Sequence, residues 1–78
     1  MAKYRILIKP SAVKEIDAIP LKKDRRRIVD RIGKLAENPR PPGCEKLSGQ
    51  DKYRIRQGCY RIVYSIEDQD LVVYVINA

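Results

Sequence analysis

Histidine is absent from these 78 residues, and cysteine occurs only at Cys44 and Cys59. The two thiols therefore have no histidine with which to complete a zinc site or a Cys/His nucleophile pair. They are also too few for the dense disulfide framework of a small secreted domain. We expect reduced thiols, no metal ion and no other cofactor.

Long apolar runs are missing as well. A transmembrane helix needs about 20 consecutive apolar residues, and the chain has no such run. The N-terminal segment MAKYRILIKPS holds no apolar block followed by a cleavage site. We expect a cytosolic protein that forms one domain over residues 1–78 and has no membrane partner.

Positive charge is what the chain has in excess. Seventeen Lys and Arg stand against ten Asp and Glu, which gives a net charge of +7. So dense a charge indicates a polyanion or an acidic protein as partner rather than a small-molecule substrate. The alternative is a basic surface that only keeps the protein in solution.

The first half of the chain predicts a strand followed by two helices. Alternating apolar residues indicate a half-buried strand over Lys3–Lys9. Ser11 can cap a first helix that reaches Ile19, and a second helix is predicted from Leu21 to Glu37. The proline-rich stretch from Asn38 to Gly43 predicts a loop.

From Cys44 onward the apolar period is two, which is typical of strands. Three or four strands of an antiparallel meander are predicted, at Glu45–Leu47, Lys52–Gln57, Cys59–Glu67 and Leu71–Asn77. A strand, a helical hairpin and a meander make an α+β fold, in which two helices cover one face of the sheet and leave the other open.

A hairpin turn at Gln57–Gly58 would pair Arg54 with Arg61 and place Arg56 on the same face. The opposite face would carry the apolar set Tyr53, Ile55, Tyr60, Ile62 and Tyr64. Like charges directly opposite each other cost a sheet about 0.2 to 1 kcal/mol, so the fold alone does not call for this arrangement.

Three guanidinium groups on a rigid sheet suit phosphate chemistry, because each planar fork binds two oxygens and can stabilise charge that develops on phosphorus. Arg54, Arg56 and Arg61 are therefore the candidate site residues. Two alternatives remain open: a phosphate-binding site without catalysis, and a solvated outer face.

A second basic cluster lies in the predicted second helix. It comprises Lys22, Lys23, Arg25, Arg26, Arg27 and Arg31, interrupted by Asp24 and Asp30. Such a run is more often a solvated helix face than a site. If it binds a partner, we expect contacts to phosphates without sequence preference.

Four segments together resemble the RelE branch of the RelE/ParE toxin superfamily over essentially the whole chain. They are PSAVKE at residues 10–15, NPRP at 38–41, KLSG at 46–49 and YRIRQGCYRIVYSIEDQDLVVYVI at 53–76. The KLSG segment and the YRIR and YRIVY strands are the most specific of these.

The resemblance implies the toxin of a type II toxin–antitoxin system that cuts messenger RNA in the ribosomal A site and is neutralised by a cognate antitoxin. In the family the ribose 2′-hydroxyl attacks its own phosphate. By resemblance, Arg61 would hold the scissile phosphate, while Arg54 and Arg56 would stabilise the phosphorane.

The sequence departs from the family at its end. Related toxins continue with a basic tail that holds another Arg and a Tyr or His, whereas this chain stops at Asn77-Ala78. We expect its own five tyrosines to be packing residues. The 78-residue chain is therefore expected to be inactive or strongly weakened as a nuclease.

Two other functions stay open. The ParE branch, which shares the fold, inhibits DNA gyrase without cutting RNA. The chain could also be a non-catalytic body that binds the antitoxin through an added helix or strand, over apolar residues predicted on the arginine face: Val63, Val72, Tyr74 and Ile76.

Overall fold

The computed structural model describes residues 3–47, 49 and 51–78. Met1 and Ala2 of the N-terminal segment and Ser48 of the KLSG segment lie outside the described residues, as does Gln50. The elements are β1 (Arg5–Ile8), α1 (Pro10–Asp17), α2 (Lys22–Lys34), β2 (Glu45–Lys46), β3 (Lys52–Gln57), β4 (Tyr60–Glu67) and β5 (Val72–Asn77). The predicted α+β order is confirmed.

The five strands form one mixed sheet in the order β1-β5-β4-β3-β2. Strands β2 to β5 are the predicted antiparallel meander, and β1 joins β5 in parallel. The Arg5 amide donates to the Leu71 carbonyl at 2.8 Å, and the Lys9 amide donates to the Val75 carbonyl at 2.9 Å. The N-terminal strand is thereby tied to the last one.

Both helices cover one face of this sheet, as predicted. The buried core joins Ala12, Ile16, Ile28 and Ile32 of the helices, and Leu35 just after α2, to sheet residues Ile55, Ile62, Tyr64, Val73 and Val75. Because side chains alternate along a strand, the arginines that lie between these sheet residues point away from the helices.

The helix ends differ from the prediction. Helix α1 starts at Pro10 with Lys9 at the cap position, and no side chain caps it, so the predicted Ser11 cap is wrong. Proline replaces the cap because its fixed φ suits the first helical turn and it has no N–H to satisfy. Helix α2 begins at Lys22 and ends at Lys34, and is shorter than predicted at both ends.

The loop after α2 is held by Tyr64, whose side chain is completely buried. The Tyr64 hydroxyl donates to the Pro39 carbonyl at 2.7 Å and lies 3.3 Å from Cys44 Sγ. Burial, with a contribution from Cys44, raises the pKa of Tyr64 well above its ordinary value. Tyr53 stacks on Tyr64, with ring centroids 5.9 Å apart.

A second link joins the same loop to the β4–β5 turn. Arg40 Nη1 and Nη2 donate to the two Asp68 oxygens at 3.2 and 2.9 Å, and the Tyr4 hydroxyl donates to Asp68 at 2.7 Å. The Arg40 guanidinium also lies 5.3 Å from the Tyr53 ring centroid. Arg40, followed by Tyr4, lowers the pKa of Asp68.

Replacing Tyr64 by Phe is expected to destabilise the protein by about 1 to 3 kcal/mol, because the buried Pro39 carbonyl loses its donor. Urea denaturation measures the change. Tyr74→Phe is the control, since Tyr74 is exposed and makes no side-chain hydrogen bond to the described residues. Equal stability of the two variants would contradict the anchoring role.

Protonation of Asp68 at acid pH should lower the stability of the protein. Its native pKa is lowered, so its contribution is present above the unfolded-state pKa, about 3.9, and is lost as the pH falls through the native pKa. The unfolding midpoint of Asp68→Asn should therefore fall less than that of the wild type between about pH 5 and pH 2. Parallel curves, or the same effect from Asp70→Asn, would argue against the link.

Candidate functional site

The three candidate arginines lie together on the open face of the sheet. Arg54 and Arg56 belong to β3 and Arg61 belongs to β4. Arg56 and Arg61 are exposed, whereas Arg54 is half-buried. The structure thus brings together, away from the helices, the set that the alternation of the two strands predicts.

Their pairing differs from the prediction. Arg56 lies directly opposite Arg61, and Arg54 lies opposite Val63, so the predicted Arg54–Arg61 pair is wrong. The turn consists of Gly58 and Cys59 and follows the pair formed by Gln57 and Tyr60.

The backbone conformation of Gly58 explains why the turn lies one residue later than predicted. A turn at Gln57–Gly58 of either type favoured in hairpins would need positive φ at Gln57, whereas Gly58 at the first turn position, with φ of 61°, carries the positive φ alone. This is the signature of a type II′ turn, which favours glycine at that position. The turn moves by one residue along the chain, which shifts the register between β3 and β4 by two residues, so every side chain keeps its predicted face.

The Arg56–Arg61 pair is electrostatically unfavourable on its own. Like charges directly opposite each other in a sheet cost about 0.2 to 1 kcal/mol. An anion held between the two guanidinium groups would reverse that cost, because each guanidinium offers a planar fork of donors. The local arrangement therefore fits a bound phosphate group.

Glu45 belongs to the same site, although the sequence reading did not single it out. Its carboxylate accepts a hydrogen bond from Arg54 Nη2 at 2.7 Å, and β2 places the two residues directly opposite each other. Arg54 lowers the pKa of Glu45, with smaller contributions from Arg56 and Arg61. The carboxylate thus lies in the electrostatic field of all three arginines.

Beyond the arginines the open face becomes apolar. Tyr74 and Leu7 lie opposite each other in the β1–β5 pair and are 38% and 47% exposed. Val63 and Ile76 are half-buried, as part of the predicted apolar surface, but Val72 is buried and does not contribute. Exposed Leu7 takes its place on this surface.

A β-bulge shapes the end of this face. Tyr64 pairs with Val75 whereas the preceding Val63 pairs with Asn77, so Ile76 is the extra residue of β5. Bulges redirect side chains and are common beside functional sites. Asn77 consequently lies opposite Val63, two residues from Arg61 along β4.

The basic residues of α2 are on the helical side of the sheet and do not join the arginine cluster directly. They line separate depressions, one with Lys22, Lys23 and Arg26 and another with Arg27, Arg31 and Lys34.

Within residues 3–47, 49 and 51–78, no group of three or more His, Cys, Asp or Glu side chains could hold a metal ion. In the same ranges no helix has both the length and the apolar character needed to cross a membrane.

The chain matches the family described as the ParE toxin of the type II toxin–antitoxin system parDE over residues 6–77. No curated protein matches it significantly. Among solved structures, the archaeal RelE–RelB complex from Pyrococcus horikoshii shares 30% identity with a TM-score of 0.82, and covers 99% of this chain and 92% of that chain.

The intact E. coli RelBE toxin–antitoxin complex is also 30% identical, with a TM-score of 0.80, covering 95% of this chain and 92% of that chain. A RelBE complex from Mycobacterium tuberculosis is 20% identical and shows the shared fold alone, with a TM-score of 0.83 and coverage of 96% and 94%.

Proposed function

Because this chain belongs to the RelE/ParE superfamily and is a toxin of a toxin–antitoxin system, we propose that it is a ribosome-dependent messenger RNA endoribonuclease. The observation that carries the proposal is the opposed Arg56–Arg61 pair on the open face, with Arg54 beside it. Such a concentration of positive charge suits a reaction in which negative charge gathers on phosphorus.

In the proposed reaction the ribose 2′-oxygen forms a bond to the adjacent phosphorus, and the bond from phosphorus to the 5′-oxygen breaks. The products are a 2′,3′-cyclic phosphate and a 5′-hydroxyl. Arg61 holds the scissile phosphate, while Arg54 and Arg56 stabilise the phosphorane. Their role is electrostatic, because all three groups stay protonated.

The 2′-hydroxyl proton needs an acceptor, and a guanidinium with a pKa above about 12 is a poor one. Glu45 contacts Arg54 and offers carboxylate oxygens on the open face. The arginines lower its pKa, so its position rather than its basicity makes it the candidate. We therefore assign proton acceptance to Glu45. By the family resemblance a Tyr or His of a C-terminal tail supplies proton transfer, and we assign protonation of the leaving 5′-oxygen to that residue.

The proposed partners are a cognate antitoxin, the ribosome and its A-site messenger, all in the cytosol. The P. horikoshii and E. coli relatives are complexes of a toxin with its antitoxin. On this chain, exposed Leu7 and Tyr74 share the open face of the sheet with the arginines, so an antitoxin that covers the whole face would also block the site. An added helix and an added strand are both compatible with that surface.

Gyrase inhibition is the second candidate, because the matching family is described as the ParE toxin. In that case the arginines would be surface residues without a catalytic role. A non-catalytic, antitoxin-binding body is the third.

Primer extension on a messenger in a purified translation system tests the proposal, with gyrase supercoiling measured in parallel. The 78-residue chain is compared with a version that carries a family-like C-terminal tail. Cuts in the A site by either version support the nuclease. If supercoiling is inhibited and no cuts appear, gyrase inhibition replaces the nuclease as the proposed function. If neither effect appears but antitoxin binding is retained, the chain is a non-catalytic, antitoxin-binding body.

Arg61→Ala in the cutting version is expected to slow cleavage by about 10²- to 10³-fold, the usual loss when one charge-stabilising donor is removed. Stability should stay equal or rise, because the repulsion with Arg56 disappears. Arg5→Ala is the control, as an exposed arginine on the same face in β1. Retained cleavage by Arg61→Ala would remove Arg61 from the site.

The Glu45→Gln variant should change RNA binding and RNA cleavage in opposite directions. Removing its negative charge is expected to tighten binding of an uncleavable RNA about fivefold, since a unit charge about 4 Å away in water contributes about 1 kcal/mol. Cleavage should slow by about 10²-fold or more. Glu67→Gln, an exposed carboxylate further along β4, is the control. Faster cleavage by Glu45→Gln would exclude it as the proton acceptor.

A further inference from the structure

The arginine face ends at an edge of β3 that β2 covers only in part. Strand β2 pairs only with Tyr53 and Arg54, so within the described residues β3 has no partner strand on that side from Ile55 to Gln57. An uncovered strand edge presents free backbone N–H groups, which are common phosphate ligands. At this edge the open face of the sheet passes directly into the helical side.

Helix α2 places its second half beside the same edge. Arg27, Arg31 and Lys34, together with Asp30, line a depression that reaches Gln57 of β3. Gln57 is the neighbour of Arg56, so this depression begins where the arginine cluster ends. Three cations of the helix therefore continue the basic surface around the edge of the sheet.

The composition of this depression favours a polyanion. All five side chains that line it are charged or carry an amide, so an amphipathic protein helix would find no apolar contact there. By contrast, the depression between α1 and α2 includes the apolar residues Ile16 and Val29.

Helix α2 also carries most of the excess charge. Its 13 residues hold seven Lys or Arg and two Asp, a net charge of +5 out of +7 for the whole chain. Phosphate contacts of this kind are independent of base sequence and strongly dependent on salt.

We propose that the RNA strand bound at Arg54, Arg56 and Arg61 continues around the uncovered edge of β3, where Arg27, Arg31 and Lys34 hold its flanking phosphates. The identity of the ligand rests on the proposed nuclease function. The second contact surface rests on the register of β2 and on the residues of the depression.

The test measures binding of uncleavable 2′-O-methyl oligouridines by the 78-residue chain, with a trinucleotide that fills only the arginine face and a dodecanucleotide that reaches the helix. The variant that removes the three helix cations of this depression, Arg27→Gln/Arg31→Gln/Lys34→Gln, is called the track variant. It should weaken dodecanucleotide binding about tenfold at low salt and reduce the salt slope by about 2, as expected for three lost phosphate contacts. Trinucleotide binding should not change.

The matched control is Lys22→Gln/Lys23→Gln/Arg26→Gln, which removes the same charge from the same helix but from a separate depression. It should leave the length dependence intact. If the track variant unfolds at a lower temperature, Arg27→Gln/Lys34→Gln replaces it, since both side chains are exposed and half-buried Arg31 is kept.

Equal losses in the two triple variants would overturn the proposal, because the effect would then come from net charge. A loss of ribosome binding without a loss of dodecanucleotide binding would also overturn it, since the cations would then contact ribosomal RNA instead. The oligonucleotides cannot be cut, so these results stand apart from the cleavage assay. Failure of the nuclease proposal would leave a length-dependent RNA contact intact.

Discussion

The left-handed backbone of Gly58 sets the register of the β3–β4 hairpin, and the core and the charged face both depend on that register. The same pairing buries Ile55 against Ile62 on one side and opposes Arg56 to Arg61 on the other. Burying an isoleucine contributes about 1.5 to 3 kcal/mol, whereas the charge repulsion costs about 0.2 to 1. Core packing therefore keeps Arg56 and Arg61 in opposed positions on the sheet despite their repulsion.

The contacts that fasten the loop after α2 and the opposed arginines of the β3–β4 hairpin lie at opposite ends of the sheet. At one end, Tyr64 and the Arg40–Asp68 pair fasten the loop after α2 to the sheet. Cys44, beside the Tyr64 hydroxyl, immediately precedes Glu45. A hydrogen bond in the core thus fixes the start of β2 and, through it, the carboxylate that contacts Arg54. The hairpin end is left free of such links within the described residues.

The element order, the helix-covered face and the three arginines on the open face could be predicted from the sequence. The alternation of apolar and polar residues along a strand assigns each side chain to a face of the sheet, even when the neighbouring strand is not known. It was insufficient for the turn, since the period does not say which residue takes positive φ. Contacts between distant residues were also out of reach: Glu45 meets Arg54 only through the β2 register, and Tyr4 meets Asp68 across 64 positions. The Ser11 cap failed because Pro10 satisfied the helix start by itself.

The opposed arginines also bear on how such a chain evolves. Replacing either Arg56 or Arg61 by a neutral residue relieves repulsion and leaves the core untouched, so selection for folding alone favours the loss of one of them. Under the proposed function, the requirement for anion binding is what keeps both in place. A descendant of this chain released from that requirement would therefore show the change first at these two positions, while its core pattern stayed the same.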